Sequence, residues 1–285
     1  MSGHSHTLVL AVLVALTSVL CYATSAVLQQ RTASRQTAGG VLLVLRLARE
    51  PRWLLAVAAT VGGALLHVGA LALGPLTIVQ PLGVLTLVFA LPLGARLAGR
   101  VVTPGEWRAA AAVVLGLAAV LSVTPHRAPL LRLTPATLVA AGTVVTALVV
   151  VLVVIGGRLR GSGGLVVRAA AAATCYGFAS GMARTAITGA GSMLVAGVMA
   201  TVGAAAGLGL AQLAYRDGGL GAPLATVTLV DPLVAVLIGV VLLGEPIGLT
   251  PLRLTLGVGG VLLTSIGIWA LTRVPPQARS VPARR

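Results

Sequence analysis

Asp231-Pro232 and Gln80-Pro81 place a polar side chain directly before a proline inside long apolar runs, where a polar group is costly. Residues 221–243 are long enough that, at about 1.5 Å per residue, a helix over them covers the ~30 Å of bilayer hydrocarbon, with Asp231 at its middle. An acid at that depth costs about 2.5–3.5 kcal/mol on insertion scales, so it faces a bundle interior or a watery cavity and is a functional candidate by default. Pro232 has no N–H, and its ring meets the carbonyl of Thr228, which predicts a kink beside the acid. A kinked midplane helix carrying one carboxylate is similar to the discontinuous helices that hold substrate in secondary transporters. Asp231 could carry a proton, bind a cation, or make a static hydrogen bond to a neighbouring helix.

Four more side chains are candidates. Gln80 would give a central cavity a fixed polar wall opposite the titratable Asp231, or else an ordinary interhelical hydrogen bond. His67, deep in an apolar run, has a reference pKa near neutrality and could share a proton path with Asp231; packing is its bland alternative. Tyr22 and Tyr176 could offer hydroxyls to a solute or act as interfacial anchors. Gln212 and Arg184 read as end residues that snorkel, and Glu245 and Arg253 as turn and capping residues.

The elements that must position these groups are membrane spans. With 58% hydrophobic and 9% charged residues and a mean hydropathy of +1.05, the chain is too apolar for a soluble domain of 285 residues. Its net charge of +15 comes from twenty basic residues, all Arg, scattered through short loops and the tail without interleaved aromatics, which argues against nucleic acid. Cys21 and Cys175 lie inside apolar runs, so neither a disulfide framework nor a metal-ligand spacing is present. A Walker loop and the Ser-His-Asp and Cys-His arrangements are missing from the sequence, so no enzyme and no cofactor are expected. A cleavable signal peptide is not expected either, since the first apolar run lacks a basic leader.

Nine long apolar segments run over about residues 8–28, 53–73, 75–96, 105–123, 135–156, 165–186, 192–214, 221–243 and 251–272. A patch at 41–47 is too short to span alone and is left as interfacial, re-entrant or a tenth span. Thr103-Pro104 and Thr250-Pro251 read as helix starts, with Glu106 at the positive end of its helix dipole. With nine alternating spans and a cytoplasmic C-terminus, sixteen of the twenty arginines fall inside and four outside; a tenth span weakens the split to fourteen and six. The expected location is the cell membrane, multi-pass.

The chain also repeats itself. Cys21-Tyr22-Ala23 returns as Cys175-Tyr176-Gly177, and Ala59-Thr60-Val61-Gly62 as Ala200-Thr201-Val202-Gly203. Likewise Thr77-Ile78-Val79-Gln80-Pro81-Leu82 matches Thr228-Leu229-Val230-Asp231-Pro232-Leu233, and Thr103-Pro104 matches Thr250-Pro251. Four matches in one order argue for duplication of a four-helix unit. In nine-span counting, segments 1–4 pair with 6–9, an odd shift that makes the repeats inverted, as in secondary transporters. The organisation expected is a first repeat over 1–123 with a short helix at about 39–50, a connecting helix and loop over 124–160, a second repeat over 161–272, and a disordered cytoplasmic tail over 273–285.

A span flowing through a short link into a Pro-containing span (Gly74-Pro75 to Pro81, Pro223 to Pro232), then closing in Leu243-Gly244-Glu245-Pro246, resembles the EamA-like branch of the drug/metabolite transporter superfamily. Leu28-Gln29-Gln30-Arg31 and the run Leu73 to Gly83 are nearer to its NIPA-type, magnesium-transporter-like subgroup and to related Ala/Val/Leu-rich actinobacterial membrane proteins. The resemblance implies an all-α bundle of two inverted repeats. It further implies alternating access by a small metabolite or drug-like solute, with ion or proton coupling through Asp231. A Mg²⁺ or other divalent-cation transporter, with Asp231 as a ligand, is the alternative, and a non-transporting membrane scaffold is the second. Partners are the bilayer, the solute or cation, and a homodimeric second copy as an allowed arrangement. EamA-like proteins usually have ten helices with both termini inside, whereas the arginine pattern here prefers nine.

Overall fold

The computed structural model describes residues 2–73, 82–123, 132–244 and 250–273. Among them every regular element is a helix: α1 (Ser2–Ala33), α2 (Gly40–Leu47), α3 (Pro51–Leu73), α4 (Leu85–Leu97), α5 (Pro104–Val123), α6 (Pro135–Arg158), α7 (Ser162–Ile187), α8 (Met193–Gly218), α9 (Gly221–Val241) and α10 (Pro251–Thr272). Hydrocarbon offers no partner to a free N–H or C=O, and a helix satisfies both within its own segment. Eight of the helices are long and apolar enough to cross a membrane, so the chain is an all-helical, multi-pass membrane protein.

Nine long spans are not found among the described residues. Where a third span was expected over 75–96, the described helix is α4, only 13 residues long, and residues 74–81 lie outside the described set. The patch at 41–47 is helix α2, whose eight residues cover about 12 Å and cannot cross a bilayer. It is amphipathic: Leu43 and Leu47 are fully buried, while Val41 and Leu45 are exposed. That excludes the tenth-span reading of this patch. The expected tail beyond Arg273 lies outside the described residues.

The helix starts are written in short motifs. Thr250 accepts from the Arg253 N–H and is followed by Pro251 at the first helical position; Thr134 and Pro135 do the same for α6. At α5, Thr103 and Glu106 form a reciprocal capping box, with Thr103 N–H donating to the carboxylate at 2.8 Å and Glu106 N–H to the Thr103 hydroxyl at 3.2 Å. The predicted start at Thr103 therefore holds, and Arg100 adds two charge-assisted bonds to the same carboxylate at 2.8 and 2.9 Å.

Helix α1 packs along α3 and α4, α7 along α8 and α9, and α5 along α10, while α6 rides on the outside of α7. Small residues let the backbones close up: a Cβ on Gly116 would stand 2.6 Å from the Gly260 carbonyl oxygen, and one on Gly267 would stand 2.7 Å from that of Ala109. The lipid-facing side of α6 exposes Val139, Val144, Leu148 and Val151, as a bilayer requires.

Tertiary contacts fix which helix ends lie together. Leu220, before α9, meets Gly94 near the end of α4; Gln212, late in α8, meets Gln29, late in α1; and Arg168, early in α7, meets Gly156, late in α6. This end gathers most of the arginines of the described residues. At the opposite end the Leu133 N–H, before α6, donates to the Ala190 carbonyl, after α7.

The two ends are packed differently. The main buried cluster draws on every helix except α6, and all of it lies within about 20 Å of the arginine-rich end at 1.5 Å of rise per residue. Toward the other end the described buried apolar residues include two further groups. Ala15 and Ala70 join α1 to α3, while Leu138, Phe178, Met182, Ala196 and Ile238 join α6, α7, α8 and α9.

Candidate functional site

Asp231 lies ten residues into α9, about 15 Å from the arginine-rich end, where the single core gives way to the two separate groups. Helix α9 touches α4, α5, α7, α8 and α10, so its middle is central to the bundle, yet residues 230–236 are only half-buried. Pro232 lies inside a helix that continues from Gly221 to Val241, and the Thr228 hydroxyl one turn earlier donates to the Leu224 and Ala225 carbonyls.

Two matched tyrosines face the acid. Tyr22 on α1 and Tyr176 on α7 both interact electrostatically with the Asp231 carboxylate, and both are half-buried. Ser180, one turn beyond Tyr176 on the same face of α7, donates a hydrogen bond to Asp231 and is itself exposed. The close approach of α7 to α9 depends on Gly177: a Cβ there would meet the Asp231 backbone oxygen at 2.5 Å and the Val234 Cβ at 2.6 Å. Each tyrosine turn is in turn held by a glycine of the next long helix, Gly63 of α3 against Cys21 and Tyr22, Gly207 of α8 against Tyr176. The arrangement sets two phenols and a hydroxyl near one ionisable carboxylate, a set able to exchange a proton or to hold a polar or cationic group.

His67 is not brought into this set. It stands half-buried one turn beyond Gly63, and among the described residues it makes no hydrogen bond and no electrostatic interaction with Asp231. Gln80 and Pro81 lie outside the described residues.

Sequence reasoning undervalued a second polar cluster, on the arginine-rich side of Asp231. Gln212 is not a snorkelling end residue; it is fully buried, because the C-terminal third of α8 runs against α1 and α2 and the Trp53 side chain of α3 reaches over it. Its amide donates to Gln29 Oε1 at 2.7 Å and to the Leu208 carbonyl at 3.0 Å, and its oxygen accepts from the Trp53 indole N–H at 3.1 Å. Gln29 Nε2 donates onward to Ser25 at 2.8 Å and Thr60 at 3.0 Å, and the Ser25 and Thr60 hydroxyls are 2.6 Å apart. Each amide uses both N–H donors and accepts once at its oxygen, so the cluster ties α1, α3 and α8 together. A signal for it existed: two glutamines in otherwise apolar helices need partners, and each other's amide is the obvious one.

The next two residues of α1 are not so well served. Gln30 Oε1 and Arg31 Nη1 are buried without a hydrogen-bond partner. Just beyond them, Arg216 holds Asp217 with two bonds at 2.6 and 2.9 Å, Arg168 reaches the same carboxylate at 2.8 Å, and Arg216 also donates to the Ala38 carbonyl at 2.6 Å.

No known protein-family model, characterised protein or solved structure matches this chain.

Proposed function

We propose that the protein is a secondary transporter of the EamA-like kind, carrying a small polar or drug-like solute by alternating access, with Asp231 as the coupling and binding group. The observation that carries this reading is the placement of Tyr22 and Tyr176, matched positions of the two halves, around one half-buried midplane acid. The duplication behind those matched positions is supported by equivalent packing: α1 on α3 and α4 in one half, α7 on α8 and α9 in the other. On this reading the third span includes α4, the connecting helix is α6, and the arginine-rich end faces the cytoplasm, which the positive-inside rule favours.

A divalent-cation pathway would rest on Asp231 alone, since among the described residues no three His, Cys, Asp or Glu side chains come together. A static scaffold is favoured by a different observation, the Ser180–Asp231 hydrogen bond, which is the partner a purely structural acid requires.

Proteoliposomes with an imposed pH gradient decide among the three. Wild type and Asp231→Asn, which keeps size and polarity, are compared on a panel of amines, amino acids and Mg²⁺. Gradient-driven flux that disappears in Asp231→Asn supports the coupled carrier, whereas Mg²⁺ flux indifferent to pH supports the cation reading. Equal flux in the two proteins removes Asp231 from its central role, and no flux of any panel solute favours the scaffold.

A further inference from the structure

We infer that the Gln29–Gln212–Trp53 cluster is the gate that closes the arginine-rich side of the Asp231 site, and that the structure is the state closed on that side. The inference rests on the transporter reading of the same site and assigns it its regulation.

Three independent observations meet here. The first is the sided core: apolar residues of nine helices pack together between Asp231 and the arginine-rich end, so a solute cannot leave that way without parting them. The second is what spans the seam between the halves. Among the described residues, four contacts join the halves on the arginine-rich side of Asp231: Gln29 to Gln212, Trp53 to Gln212, Arg216 to the Ala38 carbonyl, and Leu220 against Gly94. The third is Ser180, on the other side of the acid, which is hydrogen-bonded to Asp231 and exposed.

Amide-to-amide and indole-to-amide bonds suit a gate better than more aliphatic packing would. They are directional, so they fix α1, α3 and α8 in one register when made. They are also replaceable by water one for one, so a cytoplasm-open state that hydrates the seam leaves none of these groups unpaired. The closed state has an opposing bias built in. Gln30 Oε1 and Arg31 Nη1, on the turn of α1 after Gln29, are buried without partners, and opening the seam would hydrate both. Formed clasp and orphaned neighbours therefore pull in opposite directions, the condition for two states of similar free energy.

The test reads which side the site faces. In a Cys21→Ser, Cys175→Ser background, Ser180→Cys is reacted with a membrane-impermeant maleimide in vesicles of both orientations. With the clasp intact, labelling is expected mainly from the side opposite the arginines; in Gln29→Ala/Gln212→Ala, labelling from the arginine-rich side should rise several-fold. Equal labelling from both sides with the clasp intact overturns the inference. So does labelling mainly from the arginine-rich side, or unchanged sidedness in a double variant that still elutes as a folded species. Should the double variant not fold, Trp53→Phe removes one hydrogen bond and keeps the ring: a smaller rise supports the gate, and no change overturns it. Flux is a separate readout. Sidedness that follows the clasp in a protein carrying none of the panel solutes would keep the gate and discard the carrier, while flux without a change of sidedness would do the reverse.

Discussion

The half of the bundle nearer the arginines and the half beyond Asp231 are made of the same residues, Ala, Val, Leu and Gly, and differ in how they are joined. In the first, one apolar cluster runs through nine helices, and polar fasteners are laid across it: the Gln29–Gln212 clasp, the Arg216–Asp217–Arg168 group and the Arg100–Glu106 capping box. The Arg100–Glu106, Arg168–Asp217 and Arg216–Asp217 ion pairs lie at this end. In the second half, the described apolar residues form two groups, Ala15 with Ala70 and the Leu138–Phe178–Met182–Ala196–Ile238 cluster. Membrane helices gain no hydrophobic free energy from each other against lipid, so close packing and interhelical hydrogen bonds decide where a bundle holds and where it parts. Here the polar fasteners are concentrated where it holds.

The largest effect should come from the seam that runs the full length. Gly116→Val pushes a branched side chain against the Gly260 carbonyl and the Thr264 backbone nitrogen, neither of which can swing away, and should cost about 3 kcal/mol or prevent folding. Gly62→Val, with nothing within 4 Å of its Cβ position, should stay within about 0.5 kcal/mol of wild type. Thermal unfolding of the two purified proteins in one detergent makes the comparison; similar midpoints would deny the α5–α10 seam its holding role.

Next in size is the clasp. Gln212→Ala leaves Gln29 Oε1 and the Trp53 indole N–H unpaired in a buried setting, at about 1–3 kcal/mol for such groups, and should destabilise by about 2 kcal/mol. The same truncation at Thr255, exposed on α10 and bonded only to its own helix, should cost less than about 0.5 kcal/mol. Equal losses would mean that the polar cluster contributes nothing beyond ordinary helix packing.

Much of this architecture was legible in the chain. The helices announced themselves by length and hydropathy, and the Thr-Pro starts by capping chemistry, because both signals are local. Asp231 stood out by its cost in an apolar run, and Tyr22 and Tyr176 by their like surroundings in the sequence. What stayed hidden depends on which faces meet. Gln212 looked like an end residue, since nothing in the sequence says that the last third of α8 is covered by α1, α2 and the Trp53 ring. His67 was a candidate partner for Asp231 by its chemistry alone, and among the described residues no contact joins the two. The expected third span over 75–96 is met by α4 over its last part, and its first part lies outside the described residues.

The smallest effect tests how much of the arginine-rich end is held by charge. Glu106 is 2% exposed and accepts from Arg100 twice, but Arg100 is 34% exposed, so solvent screens the pair and its worth falls toward that of a surface ion pair. Glu106→Gln keeps a group that can close the capping box with Thr103 and gives up only the charge, so a loss of about 0.5–1 kcal/mol is expected. Glu106→Ala gives up both and should lose roughly twice as much. Salt separates the two contributions: raising ionic strength should narrow the gap between wild type and Gln, while leaving the gap between Gln and Ala in place. If the gap between Gln and Ala also closes in salt, the end is held by charge and the box is incidental; if neither gap moves, Arg100 serves only as packing.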